Sequence, residues 1–69
     1  MMRDIIIADG PIRLGQFLKL ADLVDSGSYA RQQIAAGAVR VNGEVELRRG
    51  RQLRPGDVVS LEGESARVA

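Results

Sequence analysis

The chain has 69 residues, ten of them basic and nine acidic for a formal charge of +1, and 45% of it is apolar. That is enough apolar content for a folded core rather than a disordered tail, in a domain near the lower size limit at which a core stands unaided. Neither cysteine nor histidine is present, which excludes disulfides, thiol chemistry, zinc sites of ordinary type and imidazole acid–base catalysis.

In chain order, Ile5, Ile6 and Ile7 make a short β-branched run closed by Asp9-Gly10-Pro11. Residues 3–8 therefore read as a strand ending in a turn, not as a signal peptide. Apolar runs fall far short of the roughly 20 residues that cross a bilayer, so a cytoplasmic protein without a membrane segment is the default expectation. Pro11 suits the first turn of a following helix, where its missing N–H costs nothing. Leu14, Phe17, Leu18 and Ala21 then recur at i, i+3, i+4 and i+7, a helical stripe facing a core. Gly15 weakens that helix by about 1 kcal/mol relative to alanine and is expected to mark a close approach.

Ser26 is placed to cap a second helix over roughly residues 27–36, with Ala30 and Ile34 on its apolar face and Gly37 as a left-handed stop. Val39-Arg40-Val41 alternates, Asn42-Gly43 is a favoured two-residue hairpin turn, and Glu44-Val45-Glu46-Leu47 is expected to return with the same alternation. Pro55-Gly56-Asp57 is a further turn, Val58 to Glu62 a strand, and Ser65 to Val68 a last strand pairing with it. The order β-α-α-β-β-β-β predicts an α+β fold, two short helices packed on a small, largely antiparallel β-sheet, in one domain spanning residues 1–69.

Charge is distributed unevenly over these elements. Between Ser26 and Asp57 lie Arg31, Arg40, Arg48, Arg49, Arg51 and Arg54 against only Glu44, Glu46 and Asp57, so the segment is positive and the remainder negative. One basic face on a near-neutral protein points to a polyanion bound in one orientation. Nine of the ten basic residues are arginine, whose guanidinium grips phosphate oxygens in a fork that lysine lacks. The bland alternative for Arg48, Arg49 and Arg51 is a solvated loop, the usual fate of an isolated charge run. Arg54 is expected to pair with Asp57 or Glu46 as readily as to meet a ligand, and Arg3 and Arg67 to be structural surface on neighbouring terminal strands. Aromatic residues number only two, Phe17 on the core stripe and Tyr29, which disfavours a base-stacking platform.

Taken together, Arg13-Leu14, Leu18, Ser26, Ala30, Ile34, Gly37, Val39, Val41-Asn42-Gly43 and Pro55-Gly56-Asp57 resemble the S-four RNA-binding domain, also called the alpha-L RNA-binding motif. The resemblance spans about Ile12 to Leu61 and is nearest to the small free-standing bacterial members of YbcJ type. It implies non-enzymatic binding of structured RNA, of the rRNA or tRNA class, by a basic face of the helical pair and the following hairpin loop, in a translation or ribosome-associated role. Carried onto this chain, that face comprises Arg13, Lys19, Ser28, Arg31, Gln32, Arg40, Arg48, Arg49 and Arg51. Two departures stand out: Gly15 where the family often has aspartate, and Gly27 where it often has arginine.

No carboxylate constellation pairs an acid with a base, so the chain reads as no enzyme, with no catalytic residue, metal, cofactor or small-molecule substrate. Oligomeric state is left open with a monomer as the default. The competing reading is a small protein–protein adaptor that presents the same basic face to an acidic partner.

Overall fold

The computed structural model describes residues 2–7 and 10–69. In chain order its elements are β1 (Met2–Ile5), β2 (Ile12–Arg13), α1 (Leu14–Leu20), α2 (Gly27–Ala35), β3 (Val39–Val41), β4 (Glu44–Val45), β5 (Gln52–Leu53), β6 (Val58–Leu61) and β7 (Glu64–Val68). Five strands form a sheet in the order β1-β7-β6-β3-β4, and β2 pairs with β5 in a separate two-stranded ladder. β1 runs parallel to β7, and the other pairings among the described residues are antiparallel. The fold is thus α+β, two helices with a mostly antiparallel mixed sheet.

Period-two alternation sets the buried face of the sheet. Val39 and Val41 on β3, Val59 and Leu61 on β6, and Ala66 and Val68 on β7 are all buried. They join Leu14, Phe17, Leu18 and Ala21 of the α1 region, Ala30 and Ile34 of α2, and Leu53 of β5 in one continuous core. Two tight turns hold the hairpins. Asn42-Gly43 and Glu62-Gly63 both take positive φ, at 53° and 86° and at 52° and 81°, as two-residue turns matched to strand twist require.

Both helices end in the same way. At α1, Leu23 N–H donates to Leu18 O and Asp22 N–H to Lys19 O; at α2, Ala38 N–H donates to Gln33 O and Gly37 N–H to Ile34 O. These are Schellman closures about a left-handed residue, Gly37 as expected and, at α1, Asp22 with φ of 60°. Ser26 Oγ accepts from Tyr29 N–H at 3.1 Å and caps α2, again as expected.

Three local expectations need correcting. The first strand runs from Met2 and stops at Ile5, because its register with β7 ends at Val68, so Ile6 and Ile7 do not belong to it as expected; Ala8 and the turn residue Asp9 lie outside the described residues. The first helix begins at Leu14 rather than at Pro11, because Ile12 and Arg13 are drawn into a ladder opposite Leu53 and Gln52. The strand expected over Glu44 to Leu47 ends at Val45, and its alternation is inverted. Leu47 is 63% exposed, whereas Glu46 is only 7% exposed. Its carboxylate is turned inward by the arginines that follow it, which outweigh the apolar pattern at this sheet edge.

Arg3 and Arg67 close the terminal strands onto each other. Arg67 Nε donates to Asp4 Oδ1 at 2.9 Å, and Arg3 reaches both Glu64 Oε1 at 2.8 Å and the Ala21 carbonyl at 2.6 Å. Both residues are therefore structural surface.

Candidate nucleic-acid interface

Helix α1 starts in an unusual setting. Its first free N–H groups face the loop before β5 instead of solvent: Leu14 N–H donates to Arg51 O at 2.8 Å and Gly15 N–H to Arg49 O at 3.1 Å. Gln16 Oε1 accepts from Arg13 N–H at 3.3 Å, tying down the N-cap. Backbone donors that a helix N-terminus normally leaves open are thus spent on holding an arginine-rich loop, residues 46–51, against the helix.

That loop is also held from its other side. Glu46 Oε2 accepts from Arg48 N–H and from Arg48 Nε, both at 3.0 Å, while Oε1 accepts from Arg48 Nη2 at 3.2 Å and Arg51 Nη1 at 2.9 Å. These hydrogen bonds, Arg48 first and Arg51 next, hold the Glu46 carboxyl down at about 2, well below its ordinary 4.5. The Arg48 guanidinium is raised in turn by its bond to Glu46.

Docking the loop on α1 creates a concavity of about 270 Å³ between α1, α2 and the loop. Arg13 at the N-cap and Gln16 and Lys19 of α1 line it on one side, Arg31 of α2 and Arg49 of the loop on the others, and Gly15 and Gly27 also line it. Among the described residues no acid lines it, and none of its four cations makes an ion pair. Arg13 and Lys19 face one groove although they are six positions apart, because Gln16 sits three from each and the three form a single inclined row. Gly15 does mark a close approach: a Cβ there would lie 2.9 Å from Arg49 Cγ. Gly27, by contrast, has no atom within 4 Å of such a position.

The remaining expected site residues are placed elsewhere. Arg48 and Arg51 border a separate depression of about 600 Å³ together with Arg54 and Asp57. Ser28 and Gln32 are exposed on α2, outside the groove lining. Arg40 lies between Val45 and Ser60 in the sheet, on the face opposite the buried Val39 and Val41, and its Nη1 donates to the Gly43 carbonyl at 3.1 Å. Arg54 meets Asp57 through its backbone N–H, at 2.9 Å. Burial pushes the Asp57 carboxyl up, but that bond, the Asn42 amide and the Arg51 and Arg54 charges bring it below its ordinary value. Sequence reasoning missed Gln16 as a groove residue, although its spacing from Arg13 and Lys19 carried the signal.

Neither aromatic residue offers a stacking face. Phe17 is buried, and half-buried Tyr29 donates its hydroxyl to Glu62 Oε1 at 3.0 Å, a bond that raises its pKa. Among the described residues no cluster of carboxylates could hold a metal ion, and no helix is long and apolar enough to cross a membrane.

Comparison with known proteins places this architecture. The chain is 49% identical over 63 residues to the probable ribosome maturation protein RlbA of Bacillus subtilis, covering 91% of this chain and 89% of that one. It is 39% identical over 57 residues to the putative RNA-binding protein YbcJ of Escherichia coli, covering 83% and 81%. The solution structure of YbcJ, described as revealing an αL motif involved in RNA binding, superposes with a TM-score of 0.67 at 32% identity, covering 99% of this chain and 85% of that one. The S4 domain model matches residues 5–69, a span wider at both ends than the motif residues alone had marked, and the chain belongs to the S4 domain family.

Proposed function

We propose that the protein binds structured RNA, of the ribosomal or transfer RNA class, through the groove between α1, α2 and the 46–51 loop, as a monomer and without catalysing a reaction. The observation that carries this reading is the convergence of Arg13, Lys19, Arg31 and Arg49, from three separate chain segments, on one concavity without an acid. Four cations that make no ion pair among the described residues, around a depression of this size, suit backbone phosphates at a bend or junction. With no stacking face available, recognition falls to shape, phosphates and 2′-hydroxyls. The similarity to a probable ribosome maturation protein of Bacillus subtilis and to the putative RNA-binding protein YbcJ supports the same reading and favours ribosomal RNA.

Salt dependence tests it. Neutralising about four phosphates gives a log–log slope of affinity against salt near about −3. Arg31→Gln with Arg49→Gln should flatten the slope by about 1 to 2 and weaken binding, with the melting transition retained. If purified ribosomal RNA and transfer RNA are both left unretained at low salt, the RNA reading fails and the basic face is left for an acidic protein partner.

A further inference from the structure

The buried acid of the basic loop is the feature the RNA reading leaves unexplained. A carboxylate on a polyanion-binding face should oppose binding, and Glu46 cancels part of the charge of Arg48 and Arg51. Yet it is the one buried charged residue among those described, and it accepts four hydrogen bonds, three from the Arg48 and Arg51 side chains and one from the Arg48 backbone N–H. The residues it grips flank Arg49-Gly50. Arg51 N–H also closes back on Arg48 O at 3.3 Å, and the carbonyls of Arg49 and Arg51 are the groups that dock on the start of α1. The loop is thus clamped at both ends, and the side chain at its apex is Arg49, which lies against Gly15 and enters the groove.

We infer that Glu46 is a positioning residue for RNA binding: it holds the 46–51 loop so that Arg49 completes the groove with Arg13, Lys19 and Arg31. The inference rests on the RNA-binding reading. Its consequence runs against simple electrostatics, since removing a negative charge near bound phosphate should tighten binding. Glu46 instead acts by preorganisation, because an unclamped arginine would have to be ordered at the moment of binding.

Equilibrium binding to purified ribosomal RNA tests this with Glu46→Gln, Glu46→Asp and the control Glu44→Gln, an exposed acid of the same hairpin. Glu46→Gln should bind about five- to tenfold more weakly than wild type and with a flatter salt slope, although it is one unit more positive. Glu46→Asp, with unchanged charge but a carboxylate withdrawn by one methylene, should lose about threefold. Glu44→Gln should bind as wild type or slightly tighter. In an Arg49→Gln background the Glu46 substitutions should cost nothing further. Glu46→Gln binding as tightly as wild type or tighter would overturn the inference, as would an undiminished loss in the Arg49→Gln background. If Glu46→Gln does not fold, Glu46→Asp with its Arg49→Gln cycle decides alone. Absence of binding by the wild-type protein would sink the RNA reading itself, an outcome distinct from all of these.

Discussion

Arg49 packs its side chain over Gly15, with Cγ 2.9 Å from where a β-carbon would stand, while its own carbonyl accepts the Gly15 N–H at 3.1 Å. The backbone bond fixes the loop, so an added methyl group must push the arginine side chain rather than the loop backbone. Gly15→Ala should leave the urea midpoint unchanged or slightly raised, since alanine favours a helix over glycine by up to about 1 kcal/mol. Its RNA affinity should fall about threefold as Arg49 leaves the groove. Wild-type affinity in this variant would show that the position of Arg49 does not matter.

Gly27 borders the same groove with open space around it. Gly27→Arg should therefore be accommodated and add a fifth cation, steepening the salt slope by about 1. A cation in the first turn of α2 opposes the helix dipole, costing about 0.3–1 kcal/mol. Arginine's gain in helix propensity over glycine offsets that cost, so paired filter-binding and thermal-melting measurements should show tighter binding at a nearly unchanged Tm.

Stability should fall in acid through Glu46. Its folded carboxyl is held at about 2 against an ordinary 4.5, so the folded state prefers the ionised form. That contribution is complete above pH ~4.5 and is lost as pH drops from there toward ~2. Asp57, also lowered, adds loss in the acid range with the same sign. Urea unfolding of wild type across this window should show a declining midpoint, and Glu46→Gln should decline less steeply from a lower starting value.

Asn42 does two jobs that substitution separates. Its backbone sits at φ of 53°; its amide Nδ2 donates to Asp57 Oδ1 at 3.1 Å and its Oδ1 accepts from Val58 N–H at 2.9 Å, tying the hairpin to β6. Asn42→Gly keeps the conformation and loses both bonds, at a cost of about 1–2 kcal/mol. Asn42→Ala should cost about 1 kcal/mol more, for the left-handed backbone. Equal midpoints for the two would mean the turn carries no strain.

What sequence could and could not reveal follows from the range of the interactions. The Ser26 cap, the Gly37 stop and the Asn42-Gly43 turn were legible because each is decided within four or five residues. The β2–β5 ladder was not, since two residues facing two others 39 and 41 positions away leave no periodic trace. The pairing of Glu46 with nearby arginines was legible, but the direction of its side chain was misread for a related reason. Its alternation with Val45 and Leu47 argued for a strand face, but hydrogen bonds to Arg48 and Arg51 decided its direction. The groove itself was half visible: the arginines of α2 and the loop announced themselves by charge, while the part played by Arg13, Gln16 and Lys19 depended on how the loop docks on α1.

The parallel pairing of β1 with β7 joins Asp4 to Arg67, 63 positions apart in the chain. A chain made vectorially, at about 5–20 residues per second, presents β1 well before β7 exists. The helical pair and the β3–β4 hairpin are local and can form early, but a contact of this sequence separation must await nearly the whole domain. During synthesis β1 is therefore a strand without a neighbour, the first sheet segment to emerge and the last to be paired.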